Sequence, residues 1–163
     1  MGKKALQIKA KLENVGEIKP SGPDFRWYLK FVCGNCGEVS DKWNYVSLSE
    51  AFPGERGNTV NHIVMKCKLC SRVNSMSILK DSIKPYIAVN DEDEEFQTIV
   101  IFDCRGMEPT DFSAREGWTV KAVNDGKEFT DVDLSEGEWV DYCDKINEPV
   151  GIYEIEYRFV HVK

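Results

Sequence analysis

Apolar and polar residues alternate in Leu6-Gln7-Ile8-Lys9-Ala10-Lys11-Leu12, the period of a strand with one buried face. Aromatic and β-branched residues crowd Phe25 to Val32 and Thr98 to Phe102, which predicts two more strands. The C-terminal run from Gly151 to Val162 alternates from Ile155 onward and predicts a long strand buried on one face. Between these runs, Pro20-Ser21-Gly22-Pro23, the Pro53 to Asn58 cluster and Asn124-Asp125-Gly126 carry residues that reverse a chain. Helical periodicity is weak throughout, and Ser135 to Asn147 is the one stretch expected to hold a helical turn or two. The pattern predicts a mainly β protein with little helix.

Composition narrows the class. A chain of 163 residues, 42% hydrophobic and 30% charged, is an ordinary globular sequence of one domain or two small lobes, which excludes collagen, coiled coil and disorder. No run approaches the roughly 20 apolar residues of a membrane span. Met1-Gly2-Lys3-Lys4 has no apolar segment behind its lysines, so a cytoplasmic protein is expected. Gly2 does not signal myristoylation, because Leu6 stands where that motif requires Ser or Thr.

Charge is uneven. Residues 1–80 hold 13 basic and 7 acidic side chains, and residues 81–163 hold 8 and 21, so the halves carry +6 and −13 within a total of −7. This points to a two-lobed, β-sandwich or barrel-like architecture with lobes 1–80 and 81–163, the second acidic. Phe25, Phe31 and Cys33 are spaced as Phe96, Phe102 and Cys104 are, which suggests a degenerate repeat with Met107 standing where Cys36 would fall. The acidic stretches Asp91 to Glu95 and Asp125 to Asp144 read as solvated loops. Nucleic acid is not an expected partner of so acidic a chain, and the aromatic and basic residues of Asp24 to Lys30 read as a strand with its rings in the core.

Cysteine spacing supplies the chemistry. Cys33-Gly34-Asn35-Cys36 and Cys67-Lys68-Leu69-Cys70 are two C-x-x-C pairs separated by 30 residues, Gly37 to Lys66. Each pair can fold two thiolates onto one face of a tight knuckle, and two knuckles give a tetrahedral set of four sulfurs. Zinc is the expected ion, since thiolates select it and a d¹⁰ ion imposes no geometry of its own; rubredoxin-type iron uses the same ligands. The separation requires an inserted hairpin, for which Lys42 to Val46 and Val60 to Met65 are the expected strands and Pro53 to Asn58 the reversal. Four thiolates around Zn²⁺ carry −2, and Lys30, Lys42, Lys66, Lys68 and Arg72 are near enough in sequence to offset it. His62 and His161 read as surface or core histidines, and Cys104 and Cys143 as buried thiols outside the site. A zinc with four protein ligands has no open position for water, so the zinc-ribbon-like site of the first lobe is expected to be structural and the protein not an enzyme.

Those residues also carry a resemblance. Met1-Gly2-Lys3, Ala5 to Leu12, Asp24 to Lys30, Cys33 to Glu38, Ser40 to Trp43, Lys66 to Cys70, Ile83 to Tyr86, Cys104-Arg105-Gly106 with Glu108-Pro109, and Val150 to Tyr153 together resemble the eukaryotic CXXC-motif-containing zinc-binding protein family along essentially the full chain. The resemblance implies a small, mainly β, two-lobed cytosolic protein that holds one zinc through Cys33, Cys36, Cys67 and Cys70, with no established enzymatic activity. The expected function is a monomeric, non-enzymatic module that meets an unidentified protein partner. The alternative is metal handling, in which the thiolates exchange zinc or copper with another protein.

Overall fold

The structure is a computed structural model, described for residues 2–54, 60–89, 95–124 and 126–163. Its first strands are β1 (Lys3–Glu13), β2 (Val15–Pro20), β3 (Trp27–Cys33) and β4 (Asn44–Val46), followed by the short β5 (Phe52–Pro53) and β6 (Val60–Asn61). Next come β7 (Ile63–Lys66), β8 (Val73–Ile78), a 3₁₀ turn at Lys80–Ser82, β9 (Tyr86–Ile87) and β10 (Gln97–Arg105). The chain ends with β11 (Met107–Ser113), β12 (Trp118–Ala122), β13 (Glu128–Val132), β14 (Trp139–Cys143) and β15 (Glu148–Val162). The mainly β class is as the pattern predicts, and the sheets curl into a half-barrel.

Six strands form one sheet in the order β14-β15-β1-β10-β8-β7. A second sheet runs β11-β3-β4, a third β13-β12-β2-β9, and β5 pairs with β6 alone. Strands from before and after position 80 are mixed in the three larger sheets: β1 lies between β10 and β15, β2 between β12 and β9, and β3 pairs with β11 on one side and β4 on the other.

Period-2 patterning does the local work. Along β3, Trp27, Leu29, Phe31 and Cys33 turn inward while Tyr28, Lys30 and Val32 stay half-exposed. Phe25 and Trp118 meet edge-on with centroids 4.7 Å apart, and Trp27 contacts both and lies 6.4 Å from Phe102. Leu6, Ile8, Ala10, Val100 and Ile152 extend this core across the large sheet.

Three expectations are corrected. Lys42 to Val46 and Val60 to Met65 do not pair with each other: β4 pairs with β3, β7 with β8, and the hairpin between the knuckles is β5–β6. The Pro53 to Asn58 reversal lies largely outside the described residues, as does most of Asp91 to Glu95. Ser135 to Asn147 forms no helix, because Gly137 turns left-handed at φ 79° and the chain enters β14, whose hairpin to β15 turns through Asn147 at φ 56°. In β15, full burial is confined to Val150, Gly151 and Ile152. Only that end has a strand on each side, β14 and β1; beyond it a bulge at Glu154 (φ 53°) shifts the register with β1, and Ile155 and Phe159 are half-buried.

Candidate metal centre

Both C-x-x-C segments form the same backbone knuckle. Gly37 N–H donates to the Cys33 carbonyl at 2.9 Å and Cys33 N–H to the Glu38 carbonyl at 2.9 Å. In the second, Ser71 N–H donates to the Cys67 carbonyl and Cys67 N–H to the Arg72 carbonyl, each at 2.8 Å. The residue after each pair is left-handed, Gly37 at φ 80° and Ser71 at φ 65°. The first knuckle hangs from the end of β3; the second joins β7 to β8.

The four sulfurs converge, all within 4.8 Å of one another. Cys33 Sγ lies 3.8 Å from Cys70 Sγ, and Cys36 Sγ lies 3.5 Å from Cys67 Sγ. A tetrahedron with Zn–S bonds of about 2.3 Å has sulfur–sulfur edges of about 3.8 Å, so the donor set fits a four-coordinate ion. No other such group of Cys, His, Asp and Glu occurs among the described residues.

Neighbours prepare the sulfurs unequally. Cys33 is lowered to about 6, first by the backbone N–H of Cys36 and then by the Asn74 side chain. Asn74 is buried on β8, and its Nδ2 donates to Cys33 Sγ at 3.4 Å. Cys70 is lowered by the Asn35 side-chain amide and the Arg72 backbone. At Cys36 the Glu38 N–H favours the thiolate, yet desolvation and the neighbouring sulfurs outweigh it and push the group up to about 12. A bound divalent cation would relieve that crowding of like charge.

Two residues that the spacing of the cysteines did not flag complete the support. Gly106, left-handed at φ 89°, accepts a 2.8 Å hydrogen bond from Gly34 N–H with its carbonyl. A Cβ there would collide with Asn74 Oδ1, which has no hydrogen-bond partner among the described residues. Gly106 therefore lets β8 bring Asn74 onto Cys33 while the chain between β10 and β11 holds the first knuckle.

Of the five cations expected to offset the thiolates, Lys42, Lys66 and Lys68 border a cavity of about 380 Å³ that also reaches Cys33 and Cys67. Lys30 instead lies over the Trp43 ring, 4.8 Å from its centroid, and Arg72 contributes its carbonyl to the knuckle. His62 is buried away from the sulfurs, its Nδ1 accepting from Ile78 N–H at 2.9 Å, and His161 is exposed. Cys104 and Cys143 are buried outside the cluster; burial pushes the Cys104 thiol up to about 12. No helix is long and apolar enough to cross a membrane among the described residues.

Comparison with known proteins meets this geometry from the other side. The model of the family described as CXXC motif containing zinc binding protein, eukaryotic, matches residues 5–160. The human protein of that name is 52% identical over 162 residues, covering 98% of this chain and 99% of its own length. A Drosophila melanogaster protein called UPF0587 protein CG4646 is 47% identical over 159 residues, covering 97% and 96%. The solved structure "Crystal Structure of C1orf123" superposes with a TM-score of 0.94 at 50% identity over 99% of this chain and 100% of that one. A hypothetical protein from Plasmodium falciparum shares the fold, with a TM-score of 0.86 at 23% identity over 98% and 100%. With its two knuckles and four gathered sulfurs, the chain belongs to the eukaryotic CXXC motif containing zinc binding protein family.

Proposed function

We propose that Cys33, Cys36, Cys67 and Cys70 hold one zinc ion per chain in a closed, structural site, and that the protein works without enzymatic activity as a protein-interaction module. The convergence of four sulfurs at tetrahedral spacing carries this reading. An ion with four protein thiolates has no vertex left for water or substrate, so it stabilises the fold and activates no nucleophile. The surface around the knuckles supports a partner: Leu69 at the tip of the second is 67% exposed and Val73 beside it 61%, with Val39 and Val64 also exposed.

Elemental analysis of the purified chain is expected to find one zinc per molecule. Cys67→Ser should abolish it and lower the melting temperature far more than Cys143→Ser, which leaves the quartet intact; equal, small effects of the two variants would sink the structural reading. Exposure of Cys36 favours the second reading, metal handling, because an exposed thiolate is open to attack by an incoming ligand. A mild competing chelator separates the two. Metal loss that tracks unfolding supports the structural ion, whereas rapid loss from a chain that stays folded supports exchange.

A further inference from the structure

The outer face of the six-stranded sheet carries a concavity of about 920 Å³ that shares no residue with the metal centre. Its floor is an apolar row across three strands, since Ala5 pairs with Ile101 of β10 on one side and Val160 of β15 on the other. Lys80 and Lys84, from the turn after β8, and His161 and Lys163, from the end of β15, border it, and among the described lining residues the one side-chain carboxylate is Asp81. Those three lysines make no ion pair among the described residues. Such a concentration of positive charge is anomalous on a chain of net charge −7. Clefts lined by one sign of charge focus field lines and gather the opposite ion.

Polar groups on the floor are already oriented. Gln7 Nε2 donates to Thr98 Oγ1 at 3.0 Å, and Gln7 is held in turn from outside the concavity by Arg158, whose Nε donates to its Oε1 at 2.7 Å. The Thr98 hydroxyl thus accepts from Gln7 and keeps its own proton to donate to a ligand oxygen. Acceptor oxygens with negative charge are what these groups can satisfy, and the apolar row suits a non-polar or planar body attached to them.

We propose that this concavity binds a soluble organic phosphate, with its phosphate oxygens on Lys80, Lys84 and Lys163 and its body on the Ala5–Ile101–Val160 row. The volume lies within the roughly 300–1,000 Å³ of small-molecule sites. The inference stands apart from the metal reading and survives or fails without it.

The test titrates the full zinc-loaded chain into a fluorescent N-methylanthraniloyl ADP, followed by anisotropy, with ADP and inorganic pyrophosphate as competitors. Saturable binding is expected, weakened at least tenfold by Lys80→Glu/Lys84→Glu and by Val160→Glu. Lys121→Glu/Lys145→Glu, the same charge change at exposed lysines that border neither this concavity nor the metal centre, should leave it unchanged. ADP should compete better than pyrophosphate, because pyrophosphate has no body for the apolar row. Absence of saturable binding, equal weakening by the Lys121/Lys145 variant, or equal competition by the two anions would overturn the proposal. Co-sedimentation with anionic lipid vesicles in place of ADP binding would overturn it as well, pointing to a membrane surface.

Discussion

Ser71 holds in the second knuckle the place that Gly37 holds in the first, and a Cβ in that left-handed conformation costs roughly 1–2 kcal/mol. Ser71→Gly is therefore expected to stabilise the chain by about 1 kcal/mol, a rise of roughly 2–4 °C in melting temperature at this size. A lower melting temperature would show that the serine side chain contributes more than its backbone costs. Asn74 acts through Cys33, and the loss of such an outer partner typically weakens metal affinity about 10–100-fold. Asn74→Ala should fall in that range by competitive chelator titration while retaining zinc at saturation, and unchanged affinity would exclude a positioning role. Burial holds His62 below its usual range, so below the unfolded value of about 6.5 the unfolded chain binds a proton that the folded chain refuses. Its contribution is thus complete at neutral pH and declines as pH falls through that value. His62→Gln should flatten this part of the stability profile between pH 7 and 5, and parallel profiles for the two chains would refute the assignment. The cysteines were legible because each knuckle is a local, four-residue signature. Asn74 and Gly106 were not, since their task is defined by a sulfur about 40 and 70 positions away in the chain.

The strand β3 unites the core and the metal centre in seven residues. Its inward row packs Trp27, Leu29 and Phe31 and ends at Cys33, while outside it Arg115 covers the Tyr28 ring and Lys30 the Trp43 ring. Leu29→Ala should cost about 2–5 kcal/mol through the cavity it leaves. Zinc content below the lowered melting point should stay unchanged, because the first knuckle closes through its own backbone bonds; zinc loss from the folded variant would show that packing, not the knuckle, positions Cys33. Alternation revealed β1 and β15 in the sequence, and crowded aromatic and β-branched residues revealed β3 and β10, because one face of each meets the core. It could not reveal partners: β4 and β7 were both legible as strands and wrongly joined, since nothing in their residues records that β3 and β8 lie beside them. The chain between Ser135 and Asn147 misled for a related reason, its turns being set by Gly137 and Asn147 and its strand by the neighbouring β15.

Across the whole molecule, β1 and β2 of the basic half are each held between two strands of the acidic half, and β3 and β8 each pair with one. The pairing of β1 with β10 and β15 spans nearly the full length of the chain, and β3 finds its edge-mate β11 more than seventy residues on. Fragments 1–80 and 81–163 produced separately are expected to be unfolded by circular dichroism and to regain the native spectrum only when mixed; a folded fragment alone would count against this interdependence. The uneven charge was legible in the sequence, whereas the interleaving was not, because composition carries no information on topology. The gathered sulfurs acquire a second meaning in this setting. One pair hangs from the three-stranded sheet and the other from the border of the six-stranded sheet, where, among the described residues, β7 has β8 on one side and no strand on the other. On the reading proposed above, an ion among them would rivet the two sheets and pin that border in place. Without the rivet, a hairpin with an open margin and an exposed Val64 is free to zip onto the same margin of another molecule. Zinc starvation should then announce itself as clumping, with light scattering rising on chelation and falling again when zinc is restored early.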